Sequence, residues 1–406
     1  MFKAASPAGI DILKDKQRFK LSLPVNSRLE SVDILRGMVM VLMALDHVRD
    51  YFTNVTYNPL DLSQTDGFLF MTRWITHFCA PIFIFLAGTG AFLSLTRGKT
   101  KPELAKFLLS RGIWLIFLEF TIVRFGWVFN FDYTLSFAQV IWAIGWSMIV
   151  LSGLIFLSVK SVAVIGIALI LIHNAFDGIT PAQFGDWGWM WVVLHSGDIL
   201  SPVNGINFYI QYPLIPWIGV MAAGYAFGFL FQKNEQQRKK IFILLGIGLI
   251  AAFIILRSLN IYGDPQPWSM QDSLGKTILS FLNVEKYPPS MLYLFVTLGA
   301  AILSLAFIDK LKGPLRKMFL TFGKVPMFYY LLHIPLAHLL AVVVAVIMGF
   351  SPGAFFSNDW IWPAGWGFDL AIVYLFWTAV VLSLYPVCKW FASLKQRRKD
   401  WWMGYL

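Results

Sequence analysis

The chain has 406 residues, of which 58% are hydrophobic, 17% aromatic and 14% charged. Soluble globular domains carry about 25% charged residues, so this composition excludes an ordinary water-soluble protein. The net charge of +11 does not indicate nucleic-acid binding, because the basic residues lie in short clusters between apolar runs. We therefore expect an all-α, polytopic integral membrane protein of the cell (inner) membrane.

About ten transmembrane helices are predicted, since a helix needs about 20 apolar residues to cross the hydrocarbon core. The candidate segments are 33–53, 74–96, 104–128, 135–158, 161–177, 206–231, 241–260, 288–309, 318–349 and 366–392. The first thirty residues are basic but contain no long apolar run, so we expect no cleavable signal peptide. The predicted organisation is a cytosolic segment 1–32, a transmembrane domain 33–392 and a cytosolic basic tail 393–406.

The predicted orientation follows from the charges of the loops. Lysines and arginines cluster on alternate loops, around Lys99, Lys160, Arg238, Arg316 and Arg397. Neither residue type occurs in the segments 129–134, 178–205 and 350–365. Basic loops stay in the cytosol, so both termini are predicted to be cytosolic.

The first apolar segment contains an unusual number of charged residues. Asp33 and Arg36 are three residues apart and share one helix face near the cytosolic end. Asp46, His47, Arg49 and Asp50 follow near its outer end. Ionisable side chains at membrane depth are costly and usually mark function. Arg36 is either a structural partner of Asp33 or a contact for a phosphorylated ligand from the cytosol.

Histidine is the usual general base because its pKa lies near neutrality. All six histidines fall in the outer half of the predicted spans or outside them: His47, His77, His173, His195, His333 and His338. We expect His47, His77 and His333, from three different spans, to line one polar cavity. Asp50 lies three residues from His47 and Asp46 directly before it, so either carboxylate is a candidate to orient the ring.

Other chemistry has little support in the sequence. No histidine or acidic pattern has metal-ligand spacing, so no metal is expected, and nucleophile-elbow, Walker and dinucleotide-binding patterns are absent. The external segments 178–205 and 261–287 are rich in tryptophan and acidic residues. They form either an interfacial aromatic belt or a vestibule for a polar acceptor.

Three stretches resemble a known family. Residues 28–38 read Arg-Leu-Glu-Ser-Val-Asp-Ile-Leu-Arg-Gly-Met and continue to Val41-Leu-Met43. This resembles the first catalytic-domain helix of heparan-α-glucosaminide N-acetyltransferase and related bacterial membrane acyltransferase-like proteins. Pro81-Ile-Phe-Ile-Phe-Leu-Ala-Gly88 resembles the next helix of that family, and Gly323-Lys-Val-Pro-Met-Phe-Tyr-Tyr-Leu-Leu-His-Ile-Pro335 a late helix of the bacterial members.

The resemblance implies that residues 33–392 are a transmembrane acyltransferase-like domain, which uses acyl-CoA, such as acetyl-CoA, as co-substrate. The acyl group would pass from the cytosol to an amine or hydroxyl of an extracytoplasmic glycan or glycolipid. The phosphates of the coenzyme are expected near Arg36, Arg111 and Lys324. His47 would deprotonate the acceptor or briefly carry the acyl group. Besides the donor and a sugar-containing acceptor, membrane lipid is the expected partner, and the oligomeric state is left open.

A transporter or flippase of a polar or lipid-linked substrate is the main alternative. Buried Asp, Arg and His residues also build proton relays, and broken helices also form binding sites at the membrane midplane. Against this alternative, the sequence shows no paired interrupted helices in two matching halves. In a third interpretation, a scaffold protein, the buried charges only hold helices together.

Overall fold

The computed structural model describes residues 29–398 and 400–406, and most of the described chain is helical. The predicted cytosolic segment 1–32 therefore lies largely outside the described residues. The α-helices are α1 (Glu30–Phe52), α2 (Gly67–Ile75), α3 (Cys79–Thr96), α4 (Lys101–Leu118), α5 (Arg124–Val128), α6 (Val140–Leu154), α7 (Val159–Ile172), α8 (Gly188–Trp191), α9 (Leu214–Phe227), α10 (Glu235–Leu259), α11 (Leu274–Leu282), α12 (Met291–Leu305), α13 (Gly313–Lys324), α14 (Pro326–Ile347) and α15 (Leu370–Arg397). The strands are β1 (Leu135–Ala138), β2 (Asp198–Val203) and β3 (Ile206–Ile210).

Six helical segments of the described chain are long and apolar enough to cross a membrane: Gly67–Thr96, Val159–Phe176, Leu214–Gln232, Glu235–Leu259, Pro326–Ile347 and Leu370–Arg397. The expectation of a mostly helical membrane protein is thus confirmed, whereas the count of ten stays a prediction. The other four predicted spans coincide with α1, the pair α4 and α5, α6, and α12. Helices α6 and α12 are apolar but have 15 residues each, or about 22 Å. Helices α1 and α4 are longer and contain several charges.

A small sheet corrects the beginnings of two predicted spans. Residues 135–138 and 206–210 were expected to be helical, but they form β1 and β3, which pair in parallel, with β2 antiparallel on the other side of β3. A short apolar run fits a buried strand as well as a helix, so periodicity could not separate the two. Because β1 and β3 end side by side, Gln139 and Gln211 become neighbours, with 3.3 Å between their side-chain nitrogen and oxygen.

Helix α1 lies at the centre of the bundle and packs against α3, α13, α14 and α15. Its crossing with α13 brings the two backbones into contact. A Cβ atom on Gly37 would lie 1.8 Å from the carbonyl oxygen of Phe319, and one on Gly323 would lie 1.7 Å from that of Asp33. Only glycine fits at these two positions, which explains both glycines of the resembling stretches.

Four further helix pairs contain a glycine in each partner at the point of closest approach. These pairs are Gly88 and Gly224, Gly112 and Gly145, Gly166 and Gly219, and Gly246 and Gly299. Lipid-embedded helices gain little from burying apolar surface against each other, so close van der Waals packing at small residues becomes the main source of association. The same solution is therefore used throughout the bundle.

Replacing Gly37 by alanine should destabilise the protein strongly, because the new methyl group overlaps the α13 backbone and the helices must separate. Overpacking of this kind costs about 1–3 kcal/mol. Gly248→Ala on α10 is the matched control, since no atom lies within 4 Å of a Cβ at that position. Thermal unfolding of the purified variants in detergent measures the difference. A Gly37→Ala protein that melts like wild type contradicts the backbone contact.

Candidate functional site

Three cavities follow one another along α1. We name the cavities by their order from the N-terminal to the C-terminal end of α1. The inner cavity is lined by Arg36, Met40 and Met43, the middle cavity by residues from Met43 to Asp50, and the outer cavity by Arg49, Asp50 and Thr53. Their volumes are about 240, 260 and 1280 Å³. Neighbouring cavities share walls: Met43, Phe83, Val140 and Tyr330 between inner and middle, and Arg49, Asp50, Trp127, Gln139 and Gln211 between middle and outer. The three cavities therefore adjoin one another in a row along α1.

The inner cavity is apolar except for two arginines. Its lining is mainly Met, Leu, Ile, Ala and Phe side chains, with Arg36 and Arg111 as the charged members. Arg36 pairs with Asp33 at 3.3 Å and lies 3.5 Å from the Gly323 carbonyl oxygen. Arg111 donates to the carbonyl oxygen of Gly404. Lys324, the third residue predicted for phosphate binding, ends α13 and lines none of the three cavities.

The structure joins two of the three predicted catalytic histidines in the middle cavity. His47 Nδ1 lies 2.7 Å from His333 Nε2, and His333 Nδ1 lies 3.1 Å from the carbonyl oxygen of Tyr329. A carbonyl oxygen only accepts, so His333 Nδ1 carries a proton and its Nε2 is an acceptor in the neutral ring. His47 Nδ1 must then be the donor, which leaves the lone pair of the ring on Nε2.

That lone pair belongs to a side chain of the cavity wall. His47 lines the middle cavity, and its Nε2 makes no hydrogen bond with any part of the chain that the structure describes. The ring is held by an edge contact with Trp127, at a centroid distance of 4.7 Å, and by stacking on His333 at 4.9 Å. His47 thus has the orientation and tautomer that a general base requires.

Neither predicted carboxylate partner of His47 hydrogen-bonds to its ring. Asp46 accepts instead from Arg73, at 2.6 and 2.9 Å, and pairs with Arg49 at 3.0 Å. Asp50 pairs with Arg49 at 2.6 Å. A buried carboxylate binds the nearest cation because charge-assisted hydrogen bonds are the stronger ones. His333 takes the orienting position for which Asp46 and Asp50 were candidates.

His77 does not line the cavity. Its neighbours Thr76, Cys79 and Ala80 do, but the His77 ring lies behind this wall, 1% exposed and at 5.6 Å from the Tyr293 ring. Neither ring nitrogen has a hydrogen-bond partner within the described residues. The expected meeting of His47, His77 and His333 in one cavity is therefore found only for His47 and His333.

The remaining histidines contact backbone or loop groups elsewhere. His173 bonds to the carbonyl oxygen of Pro289 at 2.8 Å, and His338 bonds to that of Phe355 at 2.8 Å. His195 lies 3.2 Å from Asp177. No group of three His, Cys, Asp or Glu side chains suited to a metal ion occurs between residues 29 and 406, residue 399 excepted.

Sequence reasoning missed Arg73, Gln139 and Gln211 in the middle cavity, and it included Lys286 and Tyr287 only as part of the predicted vestibule 261–287. Their positions along the chain are far apart, and only the fold brings them together. Arg73 carried the one usable signal, since it is a single charge in the apolar stretch of α2. The phenol of Tyr287 lies near the positive charges of Lys286 and Arg73. Burial opposes its ionisation, but these two positive charges lower the pKa of Tyr287 below its usual value.

Hydrogen bonds and an ion pair of Asp264 fix the turn that carries Lys286. Asp264 accepts from the backbone N–H of Glu285 at 2.9 Å and from the Ser290 hydroxyl at 2.6 Å, and it pairs with Arg257 at 3.4 Å. Glu285 in turn accepts from the backbone N–H of Lys286. Burial raises the pKa of Asp264 and of Glu285. Lys286 is therefore presented by a rigid turn rather than by a loose loop.

The outer cavity is wide and rich in aromatic residues. Its wall includes Tyr57, Trp127, Tyr209, Trp360, Trp362 and Trp366, with Asn54 and Asn358 among the polar members. The segment 178–205, one of the two predicted vestibules, contributes nothing to the three cavities. Part of it borders a separate apolar pocket with Phe120 and Trp142. The other segment, 261–287, contributes Lys286 and Tyr287.

Residues 28–267 match the family described as heparan-alpha-glucosaminide N-acetyltransferase, catalytic. The match covers more than half of the 406 residues. The chain belongs to this family. Membership indicates membrane acetyltransferase activity. The matched region contains α1 and the residues that line the cavities from α1 to β3, whereas Lys286, His333 and three tryptophans of the outer cavity, Trp360, Trp362 and Trp366, lie beyond it. No curated protein matches the chain significantly.

Proposed function

We propose that the protein transfers an acyl group, such as acetyl, from cytosolic acyl-CoA to an amine or hydroxyl of a glycan or glycolipid on the outer side. The observation that carries this proposal is the row of three cavities with the free Nε2 of His47 in its middle. In this proposal, donor and acceptor enter from opposite ends of the row of cavities and meet at His47, the general base.

The inner cavity suits the donor. Its apolar wall matches the pantetheine arm and the acyl group, and Arg36 and Arg111 offer guanidinium groups that bind phosphate bidentately. Lys324 follows Gly323, whose carbonyl oxygen Arg36 approaches, and it remains part of the proposed entrance. The thioester would then reach the neck between the inner and middle cavities, next to His47.

The outer cavity suits a sugar. Sugar rings have apolar C–H faces and polar edges, and tryptophan side chains offer a large apolar ring together with an N–H donor. The aromatic wall near Trp360, Trp362 and Trp366, with asparagine side chains beside it, provides both kinds of contact. The reacting amine or hydroxyl would project from there into the middle cavity.

The proposed chemistry needs one proton acceptor. As the acceptor nitrogen or oxygen attacks the thioester carbon, His47 Nε2 removes its proton. The C–S bond breaks, and the coenzyme A thiolate leaves and recovers that proton from His47. His333 stabilises the transient imidazolium by accepting from His47 Nδ1. An acylated His47 is a second route that would use the same lone pair.

We propose ten spans with both termini in the cytosol, on the basis of the alternating loop charges. Single cysteines placed at Gly98 and Gln236 should resist an impermeant thiol reagent in intact cells, whereas one at Ser201 should react. The buried Cys79 and Cys388 are replaced in the background protein. Equal labelling at all three positions would overturn the orientation.

Coenzyme A should bind to the purified protein, and Arg36→Ala should weaken the binding about tenfold or more, because a charge-assisted contact to phosphate is lost. Isothermal titration calorimetry measures this. Arg316→Ala is the matched control, since Arg316 pairs with Glu30 outside the inner cavity. Absence of binding to wild type removes the acyltransferase proposal. Unchanged binding by Arg36→Ala makes Arg36 a structural partner of Asp33.

Replacing His47 by glutamine should abolish acyl transfer while coenzyme A still binds, because Gln keeps a hydrogen-bonding group but supplies no base. Loss of a general base costs about 10²–10⁴-fold in rate. Transfer is followed with radiolabelled acetyl-CoA and cell-envelope glycans. His77→Gln serves as the comparison, since His77 lies outside the cavity, and it should retain transfer. A loss in His77→Gln equal to that in His47→Gln would contradict the assignment.

A further inference from the structure

The charges of the middle cavity do not balance. Its lining contains three cations, Arg49, Arg73 and Lys286, against two carboxylates, Asp46 and Asp50. Arg73 binds Asp46 through Nη1, and Arg49 binds both carboxylates through Nη2. Both carboxylates are therefore already bound by these two arginines.

Lys286 is the cation without an acidic partner. It is 6% exposed, and no carboxylate lies within ion-pair distance of its ammonium group in the described part of the chain. Its ammonium group lies over the face of the neighbouring Tyr287 ring, 5.0 Å from the ring centroid. Burying a charge without a counter-ion is costly, so such a group is expected at a place where an anion binds.

Arg49 provides the second observation. Its side chain is 5% exposed, and its Nη1 has no hydrogen-bond partner anywhere in residues 29–398 or 400–406. Arg49 lines both the middle and the outer cavity. Its guanidinium therefore borders the passage through which an acceptor would arrive, with one donor unused.

The surroundings are built to keep these groups in place. Lys286 sits on the turn that Asp264 and Arg257 fix, and Arg49 is fixed by Asp46 and Asp50. Donors that are already oriented bind an anion without the cost of ordering flexible side chains. A surface lysine that only keeps a protein soluble requires no such support.

We propose that the middle cavity binds an acidic group of the acceptor, a carboxylate or a phosphate on the sugar, through Lys286 and the free Nη1 of Arg49. This inference rests on the proposed function, in which the bound sugar is the acceptor of the acyl group. The anion site itself is defined by the two buried cations. It restricts the acceptor to acidic sugars and sugar phosphates, and it excludes neutral sugars as good ligands.

Sugar binding to the purified protein in lipid nanodiscs tests the proposal without any donor. Glucuronate and glucose 6-phosphate should raise the melting temperature at millimolar concentration, whereas methyl glucoside should not, all at matched ionic strength. A shift with glucuronate alone identifies a carboxylate site, and a shift with glucose 6-phosphate alone identifies a phosphate site. Equal shifts with charged and neutral sugars, or no shift with either charged sugar, overturn the proposal.

Lys286→Met separates a binding role from a structural one. Without ligand the variant should melt at or above the wild-type temperature, because an uncompensated buried charge has been removed. Its affinity for the charged sugars should fall about tenfold or more. Lys276→Met removes one charge from the predicted outer segment away from the cavity and should change neither property. A Lys286→Met protein that keeps the preference for charged sugars overturns the proposal, and the wild-type comparison stands even where the variant unfolds.

Failure of the sugar-binding experiment can be distinguished from failure of the acyltransferase proposal. Failure of coenzyme A to bind would remove the donor and the reaction but would leave an acidic-sugar site, as a transporter would need. Failure of the charged sugars to bind selectively would leave the transferase intact with a neutral acceptor.

Discussion

The contact between the backbones of α1 and α13 determines the geometry of the site. Gly37 and Gly323 allow the two helices to touch, and each helix then leads outward from this point. His47 lies ten residues after Gly37, or about 15 Å along α1, and His333 lies ten residues after Gly323, on the next helix. The helical conformation is interrupted at Val325 between α13 and α14. The resulting change of direction places His333 Nε2 at 2.7 Å from His47 Nδ1. The tautomer of His47 thus depends on two glycines far from the cavity.

The charged end of α1 is tolerated because its charges are distributed over several helices. Asp46 is bound by Arg73 of α2 as well as by Arg49 of its own helix. A buried ion pair seldom stabilises a protein by itself, since desolvation cancels most of the attraction. Its value here is positional: the network keeps a polar cavity open among helices that otherwise pack through glycine.

The sequence was sufficient for the helices and for part of the site. Polar residues within an apolar segment led to α1 and to His47, and both are central in the structure. The His47–His333 bond joins residues 286 positions apart, and no local pattern specifies such a pair. His77 shows the opposite case, because Thr76 and Cys79 line the cavity whereas His77, next to Thr76 in the chain, does not. Lys286 was visible only as a loop residue, and its burial depends on the Asp264 turn.

The neck between the inner and middle cavities has a consequence for the membrane itself. Any path that connects the two sides of a bilayer threatens the ion gradients across it. Met43, Phe83 and Val140 surround the neck together with Tyr330, and apolar constrictions of this kind expel water and block ions by dewetting. A flexible organic chain can pass where a hydrated proton or sodium ion cannot. Under the proposed function, these apolar side chains would let donor and acceptor meet from opposite sides while the membrane stays electrically sealed.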